Sequence, residues 1–143
     1  MILLGCSVIV ELMQDEPHAS VLAWFDSLET VTLGLSSVTV GELREGIAVL
    51  PDGRRKAGLE QAMNGILSVE FSGLVVPYGN AAAEAYGILA ARHRQLDHTA
   101  TQSDLMTAAI ALVAGADLAT RRRSAFDACG ITVHDPWAHP QRT

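Results

Sequence analysis

Five short apolar runs, separated by turn residues and helical stretches, constrain this chain more than any other feature. They are Ile2-Leu3-Leu4, Val31 to Leu35, Leu74-Val75-Val76, Asp117 to Thr120 and Ile131-Thr132-Val133. Short apolar strands that alternate with helices imply a parallel sheet covered on both faces. The expected class is α/β, with about five strands and helices on each side. No repeat, low-complexity tract or linker interrupts the pattern, so residues 1–143 are expected to form a single domain.

The segments between the runs carry helix signals. Ser7 is placed to cap a helix over Val8 to Gln14, and Pro17 suits the start of a second helix reaching Leu28. Ser36 and Ser37 supply caps for a helix from Val38 to Leu50. The turn Pro51-Asp52-Gly53 precedes a helix from Arg54 to Phe71, and an Ala-rich helix spans Ala81 to Arg94. Ser103 can cap a helix from Asp104 to Val113, which Gly115 terminates.

Composition excludes several classes. Hydrophobic residues make up 49%, which argues against disorder. No apolar run approaches the roughly 18–20 residues of a membrane span, and no signal-peptide pattern opens the chain. A cytoplasmic location is the expectation. Cys6 and Cys129 have no metal-type spacing and read as reduced thiols. The net charge of −6 opposes broad nucleic-acid binding, yet the cations cluster at Arg54-Arg55-Lys56, at Arg92 with Arg94, and at Arg121-Arg122-Arg123.

Two carboxylates stand out by position. Glu42 lies one turn into the helix after the second strand, and Asp104 lies in the first turn of the helix before the fourth. Both helices begin near the strand ends on one side of the sheet, where open α/β folds place their sites. A carboxylate at a helix start also serves the helix dipole or the cap. The first strand, by contrast, delivers Gly5-Cys6-Ser7, without an acid or an imidazole at its tip.

Six stretches in order carry a resemblance that covers nearly the whole chain: "MILL…SVIVEL", "VLAWFDSL", "LSSVTVGELREGIAVLPDGRRKAGLE", "GLVVPYGNAAAEAYGIL", "SDLMTAAIALVAGADLATR" and "GITVHDPW". The chain resembles the PIN-domain ribonuclease toxins of the VapC and FitB type. The resemblance implies a three-layer α/β/α fold with strand order 3-2-1-4-5. It implies a toxin paired with a small antitoxin, a homodimer, contact with operator DNA only through the antitoxin, and RNA as substrate. It further implies an endoribonuclease dependent on Mg²⁺ or Mn²⁺. Such hard cations take oxygen ligands and help form a hydroxide nucleophile, for which the family gathers about four acidic residues.

Carried over by position, the family's helix glutamate matches Glu42 and its helix-start aspartate matches Asp104. Its Asp-Thr-Asn after the first strand is here Gly5-Cys6-Ser7. Its acid or amide after the fourth strand is Arg122, and a later acid is Ala125. The resemblance thus implies catalysis and metal ligation by Glu42 and Asp104, with degenerate positions at Gly5, Arg122 and Ala125. Glu45, one turn beyond Glu42, is the candidate replacement ligand. Asp127, Cys6, Ser7, His93, Asp97 and His98 are weaker substitutes. Arg122 is expected either to point into the cleft and pair with the two carboxylates or to swing to solvent.

Two functional readings follow. One is a metal-dependent ribonuclease toxin weakened by its missing acids. The other is an inactive pseudo-nuclease that binds its antitoxin within a DNA-binding repressor complex. Arg121 and Arg123 are candidate RNA contacts. Val8, Leu12, Trp24, Phe25 and Leu28 are candidate antitoxin contacts, set against their ordinary role as core.

Overall fold

The computed structural model describes residues 1–70, 74–96 and 99–140, with the side chains of 69 and 70 excepted. Its strands are β1 (Ile2–Leu4), β2 (Leu33–Ser36), β3 (Val75–Val76), β4 (Asp117–Ala119) and β5 (Val133–His134). They form one sheet in the order β3-β2-β1-β4-β5, every pairing parallel. The expected order is therefore observed. The helices are α1 (Cys6–Leu12), α2 (Ala19–Asp26), α3 (Ser37–Ala48), α4 (Arg54–Gly65), α5 (Asn80–Leu96) and α6 (Gln102–Ala114).

Period-two alternation along β1 divides the core. Leu3 joins Leu118, Leu105 and Ile110 on the face covered by α5 and α6. Ile2 and Leu4 point the other way, into Val8, Ile9, Trp24, Leu35, Leu43 and Met63. Leu3 and Leu4 are both fully buried, so neither face of the central strand meets water. Each buried leucine contributes about 1.5–3 kcal/mol through area removed from water.

Local capping departs from expectation at three helices. α1 starts at Cys6, with Gly5 as an extended N-cap that offers no side chain. Ser7 does not cap; its hydroxyl accepts the Arg121 N–H at 3.2 Å across the sheet. α2 is capped by the His18 ring, which accepts the Ser20 N–H at 3.1 Å, rather than started by Pro17. α6 is capped by Thr101 rather than Ser103, because Asp104 at the third helical position completes a reciprocal box. The expected ends hold elsewhere: Ser36 caps α3 through the Thr39 N–H at 3.0 Å, and Gly115 closes α6 at φ 64°. α4 runs into a wider turn over Ile66–Glu70, and its expected end at Phe71 lies outside the described residues.

Candidate active cleft

The C-terminal ends of β1, β2 and β4 meet the N-terminal turns of α1, α3 and α6. Between them lies a cleft of about 80 Å³, lined by Gly5, Cys6, Ser7, Thr39, Glu42, Asp104, Thr107, Thr120 and Arg122, with Leu118 and Phe126 at its apolar base. The structure therefore gathers Glu42, Asp104, Gly5 and Arg122, which are far apart in sequence, around one space.

A buried hydroxyl cluster sets the spacing of the two acid-bearing helices. The Ser36 hydroxyl donates to Thr39 Oγ1 at 3.1 Å and lies 3.4 Å from Thr107 Oγ1. All three residues are buried, so these bonds replace lost hydration. They tie the start of α3 to the second turn of α6, below Glu42 and Asp104. Sequence reading did not single out this trio. Its only local trace is a Ser or Thr one turn from each acid, a common pattern in helix starts.

Asp104 is fully engaged. Its Oδ2 accepts the Thr101 N–H at 2.9 Å as part of the capping box. Arg122 Nη1 lies 3.0 Å from Oδ1 and 2.9 Å from Oδ2. The Arg122 backbone is fixed by its N–H donating to Thr120 Oγ1 at 3.1 Å. Arg122 thus lines the cleft and pairs with Asp104 alone of the two carboxylates, with half of its side chain left to solvent.

Glu42 has a carboxyl raised above its ordinary value. Loss of hydration is the main cause and the negative charge of Asp104 the second; Arg122 works in the opposite sense, and Glu45 adds a little more repulsion. The Cys6 thiol is likewise raised, by burial and then by Glu42, and so stays protonated.

Of the remaining candidates, Ser7 lines the cleft, whereas Glu45, Ala125, Asp127 and His93 do not. Glu45 is exposed and reaches the site only through its charge on Glu42. Ala125 is buried in the core beside Phe126, so its side chain does not face the carboxylates. Asp127 is exposed and does not line the cleft. His93 is buried and does not line the cleft, its Nδ1 2.9 Å from the Leu89 carbonyl and its Nε2 3.8 Å from Cys129 Sγ. Asp97 and His98 lie outside the described residues. Arg121 stacks its guanidinium 5.2 Å from the Trp137 ring centroid, while Arg123 is exposed.

A hard divalent ion at such a cleft wants several free oxygen ligands. The residues present do not fit that need. Among the described residues only Glu42 and Asp104 supply carboxylates, and Asp104 already holds a cation and a backbone N–H. Among the described residues no group of three or more His, Cys, Asp or Glu is arranged to hold a metal. Nor has the strand tip room for another ligand: a Cβ at Gly5 would sit 2.8 Å from the Ala119 carbonyl oxygen.

The candidate antitoxin contacts separate by burial. Val8 and Trp24 are core residues, at 0% and 5% exposure, and offer no surface to a partner. Leu12, Phe25 and Leu28 are partly buried against the same core. A more open apolar groove of about 270 Å³ lies alongside, between α1, α3 and α4, and includes Val10, Met13, Leu43, Ile47, Leu50 and Leu59. Cys6 and Glu42 line this groove as well as the cleft, so the two spaces share a wall.

Comparison with known proteins agrees with this architecture. The family profile described as PIN domain matches residues 2–127. The plasmid stability protein StbB of Pseudomonas syringae pv. tomato is 39% identical over 137 residues, covering 96% of this chain and 99% of that protein. The VapC ribonuclease Y4jK of Sinorhizobium fredii is 36% identical over 137 residues, covering 96% and 98%. Among solved structures, that of FitAB bound to an IR36 DNA fragment superposes with a TM-score of 0.88 at 31% identity, covering all of both chains.

Proposed function

The chain belongs to the PIN-domain family, and from that premise we propose that it is the toxin-type subunit of a type II toxin–antitoxin pair, built as one domain over residues 1–143. It binds a small antitoxin, and the pair meets operator DNA through the antitoxin. The name of one relative, a VapC ribonuclease, and the DNA-bound state of FitAB support this class of role.

The observation that carries the reading is the shared wall. An amphipathic partner segment laid in the groove of α1, α3 and α4 buries Val10, Met13 and Leu59 and at the same time covers Glu42 at the mouth of the cleft. Binding of a partner and occlusion of the cleft are then one event. The antitoxin surface is therefore proposed at this groove rather than at Val8 and Trp24.

The chemical side of the function is weak or lost. Glu42 and Asp104 are the remaining acids of an RNA-hydrolysing site, and Arg122 holds one of them. The subunit works mainly as a binding component. One observation favours a second reading, residual ribonuclease activity: the Arg122 side chain is 52% exposed, and its release would free Asp104.

Coexpression with the small protein encoded beside it tests the main reading. A stable complex that shifts operator DNA, formed by a chain that does not arrest growth alone, is the expected result. A chain that elutes alone as a homodimer and leaves operator DNA unshifted would overturn it. RNA cleavage by the purified chain, lost on addition of EDTA and in Glu42→Gln, would establish the second reading instead.

A further inference from the structure

We propose that Arg122 is a resident cation: its guanidinium occupies the place at Asp104 that a divalent ion would need, so Asp104 is neutralised by the fold itself and the cleft does not load Mg²⁺ or Mn²⁺. The proposal rests on the geometry of the cleft and stands whether or not the chain serves as a toxin.

Three independent features converge on it. The first is occupancy. A single guanidinium nitrogen lies within 3.0 Å of both Asp104 oxygens, and the Thr101 N–H takes a further lone pair of Oδ2. A metal ion would have to displace a charged partner as well as water, while Arg122 cannot shed its charge to make way.

The second is anchoring. The segment that carries Arg122 is held on both sides of its side chain. The Arg121 N–H bonds Ser7 and the Arg122 N–H bonds Thr120, while the Ala125 N–H returns to the Arg122 carbonyl at 3.1 Å. This backbone starts the Arg122 side chain within reach of Asp104.

The third is the matched change at the strand tip. Gly5 donates its N–H to the Ala119 carbonyl at 2.8 Å, and a Cβ there would meet that same oxygen at 2.8 Å. The β1–β4 pairing thus leaves no space for a side chain at position 5, and with it none for a third carboxylate there. The Arg122 charge opposes part of the repulsion between Glu42 and Asp104 that would otherwise favour a divalent ion.

The test uses the full chain and Mn²⁺ itself. Thermal unfolding is recorded in EDTA and in about 10 mM Mn²⁺, together with paramagnetic broadening of the NMR signals of Glu42 and Asp104. The wild-type melting temperature is expected to stay within about 1 °C, with no selective broadening at the two acids. Arg122→Gln is expected to gain about 4 °C with Mn²⁺ and to show that broadening. Arg122→Lys, which keeps the charge, should behave as the wild type. Selective broadening at Glu42 and Asp104 in the wild type would overturn the proposal, as would a folded Arg122→Gln that ignores Mn²⁺. Should Arg122→Gln fail to fold, the wild-type titration decides alone: broadening at the cleft overturns the proposal, and broadening only at exposed acids elsewhere supports it.

Discussion

Arg122 Nη1 stands 3.0 Å from one oxygen of Asp104 and 2.9 Å from the other, while the same carboxylate accepts the Thr101 N–H at 2.9 Å. One side chain therefore does two jobs that are separable by mutation. It completes the capping box of α6, and it holds the cation at the cleft.

Thr101→Ala removes the hydroxyl that accepts the Asp104 N–H at 3.1 Å and leaves the Arg122 pair in place. Loss of such a cap costs about 0.5–2 kcal/mol. Asp104→Ala keeps that hydroxyl bond, whose donor is the backbone N–H, and loses instead the acceptor of the Thr101 N–H together with the Arg122 ion pair. Urea unfolding of Asp104→Ala, Arg122→Gln and the double variant isolates the ion pair; the double variant is expected to lose less than the sum, and strictly additive losses would show that the Arg122 contact contributes nothing to stability.

Gly5→Asp is expected to destabilise the fold rather than rebuild a site. The Cβ at position 5 must push the Ala119 carbonyl away, and that carbonyl holds the β1–α1 junction through the Gly5 N–H. Overpacking of this kind costs about 1–3 kcal/mol. A Gly5→Asp variant as stable as the parent in urea would show that β1 and β4 can part at no cost.

Glu42 gives a pH signature. Its folded-state carboxyl lies above its ordinary value, so the folded chain holds that proton to higher pH than the unfolded chain does. Stability from this group falls as pH rises from the ordinary value through the raised one, and the penalty is complete above it. Glu42→Gln should therefore be more stable than the parent at pH 7. The gain should shrink as pH falls through the carboxylate range. Paired urea titrations at pH 7 and about pH 5 measure the difference; a gain that grows on acidification would mean the shift has the opposite sign.

Val10→Asp separates binding from folding. Val10 is 45% exposed on the groove side of α1, so the substitution leaves the core untouched. Stability should move by no more than about 0.5 kcal/mol, as for ordinary surface changes. The proposed antitoxin complex should be lost on gel filtration. Retention of the complex would place the partner elsewhere.

Much of the fold was legible because it depends on a local signal that repeats. The apolar runs placed every strand within about two residues, and the helix starts after β2 and before β4 placed Glu42 and Asp104. The errors have a common physical cause, namely partners distant in sequence. Ser7 looked like a cap because the N–H it bonds belongs to Arg121, 114 residues away. Val8 and Trp24 looked available because amphipathic pattern alone does not reveal which apolar side faces the sheet. The choice between a cleft-facing and a solvent-facing Arg122 turned on the carboxylate of Asp104, 18 residues away in sequence. Pro17 was read as a helix start because proline suits that position, whereas an imidazole acting as cap leaves little sequence trace.

The wall common to groove and cleft makes the two spaces thermodynamically reciprocal. Any occupant of the groove that strips water from Glu42 strengthens that carboxyl's hold on its proton, and protonation must favour the occupant by the same free energy. Partner affinity and the ionisation of one glutamate then become two readings of a single coupling. A proton count taken during complex formation would report contact at the cleft, even for a subunit that turns over no substrate.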